Sequence, residues 1–160
     1  MSASGDADRT STIELQAASR EQLPLFCDME RDTDTAPYIL PTTLAQHQLA
    51  LARNDVIYLS IYQQGKLNGF FILALDPDAR SIEFRRIVIA RKGRGAGHRA
   101  IVAMEAYCRK SLQRDRIWLD VFEFNRRGQH VYARLGYQLF DAREFQGKQL
   151  LFYEKELALT

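Results

Sequence analysis

The sequence predicts a mixed α/β domain whose central sheet is mostly antiparallel, with one parallel strand pair at about 81–90 and 117–122 and helices on its flanks. Three observations lead there. The 160 residues, 46% hydrophobic and 26% charged, suit one domain that closes its own core without a metal or disulfide staple. Period-two, half-buried segments recur at the start, middle and end of the chain, and helical periodicity fills stretches between them. A glycine-rich strand-to-helix junction is followed by a second apolar strand, which requires a crossover and therefore parallel strands.

Each element follows from its local pattern. Residues 1–11 offer nothing larger than Ala3 and Ala7 to bury after Met1, so they are expected to be a mobile tail, with the domain occupying 12–160. Ile13 and Leu15 alternate with polar neighbours, which predicts a strand. Ser19 with Gln22, and later Thr43 with Gln46, are capping-box pairs that start helices through about Met29 and through the Leu44, His47, Leu51 stripe. Pro24 is tolerated only because it falls near the first helical turn. Val56–Tyr62 and Leu67–Leu75, joined by a turn at 63–65, predict an antiparallel hairpin, and the Asp76-Pro77-Asp78 turn feeds a further strand, Ser81–Ala90. Helical spacing then runs from Gly93 to about Leu112, with Ile101, Met104 and Cys108 on one stripe. Ile117–Phe122 reads as a buried strand, with Trp118 expected between sheet and helix. A short helix at about 127–135 ends at Gly136, and two strands joined around Gln146-Gly147-Lys148 close the chain.

Composition narrows the function. Cys27 and Cys108 lack metal or redox spacing and read as buried thiols of a reducing compartment. No run of 18 apolar residues is present, and the N-terminus lacks a signal-peptide pattern, so the expected location is the cytoplasm and no membrane partner is expected. His47, His98 and His130 have no ligand spacing, so no metal is expected. The net charge of +2 hides an asymmetry: residues 1–80 hold 6 basic and 11 acidic side chains, and residues 81–160 hold 16 and 9. A basic half beside an acidic half fits one anionic and one cationic ligand.

The chemistry concentrates at IVIARKGRGAGH, residues 87–98. Within it Gly93, Gly95 and Gly97 alternate at the start of a long helix. Such glycines let successive amides form a concave nest, and the unpaired N–H groups of the first helical turn add to it, so the site attracts phosphate. Lys92, Arg94 and Arg99 supply charge, and a pyrophosphate is the natural occupant. The P-loop signature is absent. A dinucleotide fingerprint can be read from Gly95 to Ala100, but that motif normally follows the first strand of a doubly wound sheet, and here antiparallel hairpins precede and follow it.

These residues resemble a known family. Lys92, Gly93, Arg94, Gly95, Ala96 and Gly97 resemble the [RQ]xxGx[GA] acetyl-CoA loop of the GNAT N-acetyltransferase superfamily. Asn125 with Val131-Tyr132-Ala133-Arg134-Leu135-Gly136-Tyr137 resembles its second block, NxxA with YxxxGF. The resemblance covers about 12–157 and is nearest to the branch of ribosomal-protein-alanine and polyamine acetyltransferases. It departs at Lys92, where Arg or Gln is usual, at Gly128, where Ala is common and a weaker helix start is expected, and at Tyr137.

The resemblance implies acetyl-CoA as cosubstrate, with no metal, and direct transfer of its acetyl group to a primary amine in a ternary complex. It implies that the parallel strands at about 81–90 and 117–122 splay apart to open a slot for the thioester, that the backbone of Ile87, Val88 and Ile89 binds the pantetheine arm, that the amides from Lys92 to His98 bind the pyrophosphate, and that Asn125 bonds the cofactor arm. Tyr132 corresponds to the phenol that protonates the departing thiolate; the alternative is a packing role beside Leu135. Glu83, read as sharing a strand face with Arg85, Ile87 and Ile89, corresponds to a general base in some relatives; the alternative is a partner for Arg85 or Arg86. Glu30, Asp32 and Tyr38 would flank the acceptor slot. Two other functions are kept beside this one. The six cations and no acids of 85–99 would also serve a nucleic-acid-binding module, although they crowd at a turn and no nucleic-acid partner is expected. A CoA-binding regulatory domain without turnover is the second. A homodimer is compatible with the C-terminal hairpin.

Overall fold

The computed structural model describes residues 12–32, 41–93 and 95–158. The expected tail, Tyr38 and Arg94 lie outside these residues. Seven strands form one sheet in the order β1-β2-β3-β4-β5-β7-β6: β1 Ile13–Ala17, β2 Val56–Gln63, β3 Lys66–Leu75, β4 Ser81–Ile89, β5 Arg116–Phe122, β6 Gln138–Phe145 and β7 Lys148–Glu156. Four helices accompany them: α1 Leu23–Glu30, α2 Leu44–Leu51, α3 Ala96–Lys110 and α4 Arg126–Arg134.

The local signals act where they stand. Ser19 N donates to Gln22 Oε1 at 3.0 Å ahead of a 3-10 turn at Arg20–Gln22, and Pro24 sits in the first turn of α1, where its missing N–H costs nothing. Thr43 and Gln46 exchange both capping bonds, at 2.9 and 3.2 Å. Gln64 and Gly65 take positive φ to turn β2 into β3, the handedness that suits the twist of a hairpin. Helix α3 starts at Ala96, later than the glycine run predicts, because Gly95 with φ +69° is its N-cap.

Two cores sandwich the sheet. On one face Ile101, Met104 and Cys108 of α3, all 2% exposed or less, pack on Leu59, Phe71, Leu73, Phe84, Ile117 and Leu119. On the other, Leu23 and Phe26 of α1 cover Tyr58, Phe70, Ile72 and Val88, with Phe26 stacked on Phe70 at 4.2 Å. Trp118 belongs to neither. It stacks on Phe152 at 6.3 Å and its indole N–H donates to Asp76 Oδ2 at 2.7 Å, so it packs within the sheet face rather than under a helix.

Only β4 and β5 are parallel, and their pairing is short. It runs from Ser81 opposite Arg116 to Glu83 opposite Trp118 and stops there. Just beyond, β4 carries a bulge. Glu83 and Phe84 pair with Ala74 and Leu73 of β3, and the next paired residue is Arg86, opposite Ile72, which leaves Arg85 as the extra residue. A bulge bends and over-twists its strand, and from this point β4 and β5 diverge. The bulge also corrects the expected face of Glu83. Phe84, Ile87 and Ile89 look toward α3, whereas Glu83, Arg86 and Val88 look toward α1 and α2.

Candidate active site

The divergence of β4 and β5 opens a cavity of about 420 Å³, within the range of small-molecule sites. One wall is β4 from Phe84 to Ile89. On its other side this stretch pairs with β3, but toward β5 its pairing has ended, so the backbone N–H and C=O groups of that edge are open to a ligand. The floor is the junction into α3: Lys92, Gly93, Gly95, Ala96, Gly97 and His98 all line the cavity. Gly93 and Gly95 have φ of +111° and +69°, in the left-handed region that a side chain would strain. Of the amides at the start of α3, that of Ala96 bonds Gly93 O at 3.1 Å, and those of Gly97 and His98 have no intrahelical acceptor. The Arg99 guanidinium stands over Gly95, and its Nε is buried and without a partner. An anion fits this arrangement of amides and cation.

The far wall is β5 and α4. Asn125 is the N-cap of α4, its Oδ1 accepting from Gly128 N at 2.9 Å. Gly128 therefore does not weaken the helix start. A Cβ there would lie 2.8 Å from Asn125 Nδ2, the movable end of the capping side chain. Tyr132, one turn further on, lines the cavity with its ring edge-on to Phe84 at 5.8 Å and Tyr137 at 5.9 Å. Burial, and then the negative charge of Asp120, push its phenol up to about 12. At neutral pH it is a proton donor.

Asp120 is the lining residue that the sequence reading overlooked. It projects from β5 into the cavity, and its carboxyl lies above the usual aspartate range because of burial first and the charge of Glu83 second, with Arg85 opposing. The signal was present: one acid within the apolar run 117–122, at a position where β5 still pairs with β7 but no longer with β4. Glu83 does not line the cavity. Its Oε1 accepts from Arg85 Nη2 at 3.0 Å and from Nε at 3.2 Å.

Beside the β4 wall of the cavity lies a network that no single motif announces. Glu30, fully buried, bonds His47 Nε2 at 2.7 Å, and His47 Nδ1 meets the Tyr58 hydroxyl at 2.6 Å. The other Glu30 oxygen accepts from Arg86 Nη1, which also donates to Thr42 Oγ1 at 2.8 Å. Burial alone would raise the Glu30 carboxyl, but the bonds from His47 and Arg86 outweigh it and hold it below the ordinary value. Glu30 is thus committed to fixing Arg86, a cavity-lining residue, and does not itself face the slot. Among the described residues no group of three His, Cys, Asp or Glu side chains is placed to hold a metal, and no helix is long and apolar enough to cross a membrane.

Comparison with known proteins agrees with this geometry. The model of the Acetyltransferase (GNAT) family matches residues 20–137. A spermidine N-acetyltransferase from Vibrio cholerae, solved in complex with CoA and spermine, is similar in fold at a TM-score of 0.78 and 20% identity, over 91% of this chain and 95% of that one. The aminoglycoside acetyltransferase AAC(6')-Ib in complex with coenzyme A aligns at a TM-score of 0.78 and 14% identity, again over 91% and 95%. No curated protein matches the sequence.

Proposed function

Because the chain belongs to the acetyltransferase (GNAT) family, we propose that it transfers an acetyl group from acetyl-CoA to a primary amine in a ternary complex held in the splay between β4 and β5. The observation that carries this reading is the convergence, in one cavity, of an open strand edge, a glycine turn at a helix N-terminus, an acid and a buried phenol. Solved neighbours of the same fold bound to CoA support the choice of cosubstrate. One of the cations that would otherwise serve a nucleic-acid backbone is committed elsewhere: Arg86 is bonded to the buried Glu30.

In this reading the amides of Gly93 to His98, with Lys92, Arg94 and Arg99, hold the pyrophosphate. The free edge of Ile87, Val88 and Ile89 hydrogen-bonds the pantetheine arm, as an added strand would, and Asn125 closes the opposite side. Acetyl-CoA supplies an activated thioester. The residues of the chain manage position and protons. An alkyl ammonium, with a pKa of about 10, must lose a proton before it attacks, and Asp120, its carboxyl raised by burial, accepts it. The nitrogen then bonds the acetyl carbon as the carbon–sulfur bond breaks. Tyr132 delivers its proton to the sulfur and is reprotonated from the nitrogen, so of the two protons that the ammonium loses, one leaves through Asp120 and one ends on the thiol. Holding both reactants in the slot supplies much of the rate.

Asp120 and Glu83 are the two carboxylates that compete for the role of base, and their placement favours Asp120. The test is the pH profile of amine-dependent thiol release from acetyl-CoA. Asp120→Asn is expected to lower kcat/KM about 10²-fold near neutral pH and to recover partly as pH rises and free amine accumulates, while Glu83→Gln keeps the wild-type profile shape. An unchanged profile in Asp120→Asn, with recovery at high pH confined to Glu83→Gln, would return the role to Glu83. Tight CoA binding with no turnover of any amine would leave a regulatory domain.

A further inference from the structure

Resting on the amine-transfer reading, the geometry points to an acceptor that carries a carboxylate next to its amine, an α-amino acid, with Arg85 as the residue that binds the carboxylate. The acceptor end of the cavity presents two guanidiniums, Arg85 and Arg86, and one carboxylate, Asp120, among the described residues. Two further acids bond those arginines. Glu30 is fully buried and holds Arg86 from behind, and Glu83 holds Arg85 from within its own strand.

The two arginines differ in what they can do. Arg86 is 17% exposed and tied to a buried acid and to Thr42, so it is a fixed positive charge in the wall. Arg85 is 47% exposed. It is the extra residue of the bulge, a device that re-aims a side chain at the rim of a site, and it stands close enough to Asp120 for its charge to be felt there. Its Nε and Nη2 rest on Glu83, which fixes the plane of the guanidinium. A guanidinium so oriented recognises a carboxylate through paired N–H donors. An amine seated on Asp120 therefore has a cation beside it. An α-amino acid can place its amine on Asp120 and its carboxylate on Arg85 at once.

The experiment measures acetyl-CoA-dependent thiol release with the common L-amino acids, their carboxamides and spermidine, on the full chain and on Arg85→Ala and Arg85→Lys. In the wild type at least one amino acid is expected to exceed both its own carboxamide and spermidine in kcat/KM by about tenfold or more, the scale of a charge-assisted bond. The acid-to-amide ratio should collapse toward unity in Arg85→Ala, mainly through KM, and return in part in Arg85→Lys. A merely structural role for Arg85 would lower both substrates together and leave the ratio unchanged. A wild type that prefers spermidine or the carboxamides, or a ratio that survives Arg85→Ala, overturns the inference while amine transfer stands. Release from none of the three classes overturns both.

Discussion

Tyr132 brings a buried phenol hydroxyl to the wall of the cavity. Its ring is held by Phe84 and Tyr137, so the phenylalanine variant keeps every ring contact and loses only the proton donor. If the phenol protonates the departing sulfur, Tyr132→Phe removes an interaction formed mainly in the transition state, and kcat should fall about 10² to 10⁴-fold with KM for acetyl-CoA little changed. Steady-state kinetics with the melting temperature as a folding control reads this directly. A loss within roughly threefold would mean that another group delivers the proton. The position was legible from the sequence as part of the YxxxGY block. Its partner Asp120 was not named because no motif spacing marks it, although an acid inside an apolar strand is itself unusual.

At the scale of elements, α1, α2, β2 and β4 are tied together by one buried carboxylate. Glu30 on α1 bonds His47 on α2, which bonds Tyr58 on β2, and Glu30 bonds Arg86 on β4. Four residues drawn from positions 30 to 86 cannot be recognised as a unit from their spacing, which is why His47 reads in the sequence only as part of an apolar helix stripe. Removing the carboxylate leaves a buried histidine and an arginine without their partner, so Glu30→Ala should cost about 3–5 kcal/mol. The pH dependence has a definite sign. Because the folded carboxyl lies below its ordinary value of 4.5, its ionised form stabilises the fold above that value, and the stabilisation is lost as pH falls through the lowered folded pKa. The stability gap between wild type and Glu30→Gln in urea melts should therefore narrow below about pH 4; a gap constant from pH 7 to 3 would contradict the ionised network.

The same scale shows where pattern reading stops. The strands, the four helices and the parallel pair were legible because alternation, capping boxes and the glycine junction are local signals. The bulge was not, since an extra residue in β4 is visible only in the register with β3, and it reversed the face assigned to Glu83 by counting in twos from Ile89. The onset of α3 moved from Gly93 to Ala96 for a related reason: glycines with positive φ belong to the nest before the helix rather than to its first turn.

For the molecule as a whole, the cavity runs along the splay between β4 and β5, with the glycine turn that opens α3 at its floor. At the outer edge of the sheet β6 is exposed along nearly its whole length, with Leu139, Phe140 and Phe145 at the surface. The central claim is that CoA is seated at the turn that opens α3, and it is tested most directly by thermal unfolding with and without CoA in wild type and Gly95→Asp. At Gly95 a Cβ would meet only Arg99 Nη1, at 3.6 Å, and aspartate is among the residues that best tolerate φ of +69°, so the variant should fold. Its carboxylate, however, occupies the anion nest. Millimolar CoA should raise the wild-type melting temperature by mass action and leave that of Gly95→Asp unmoved, whereas no rise in the wild type, or an equal rise in the folded variant, would contradict the account.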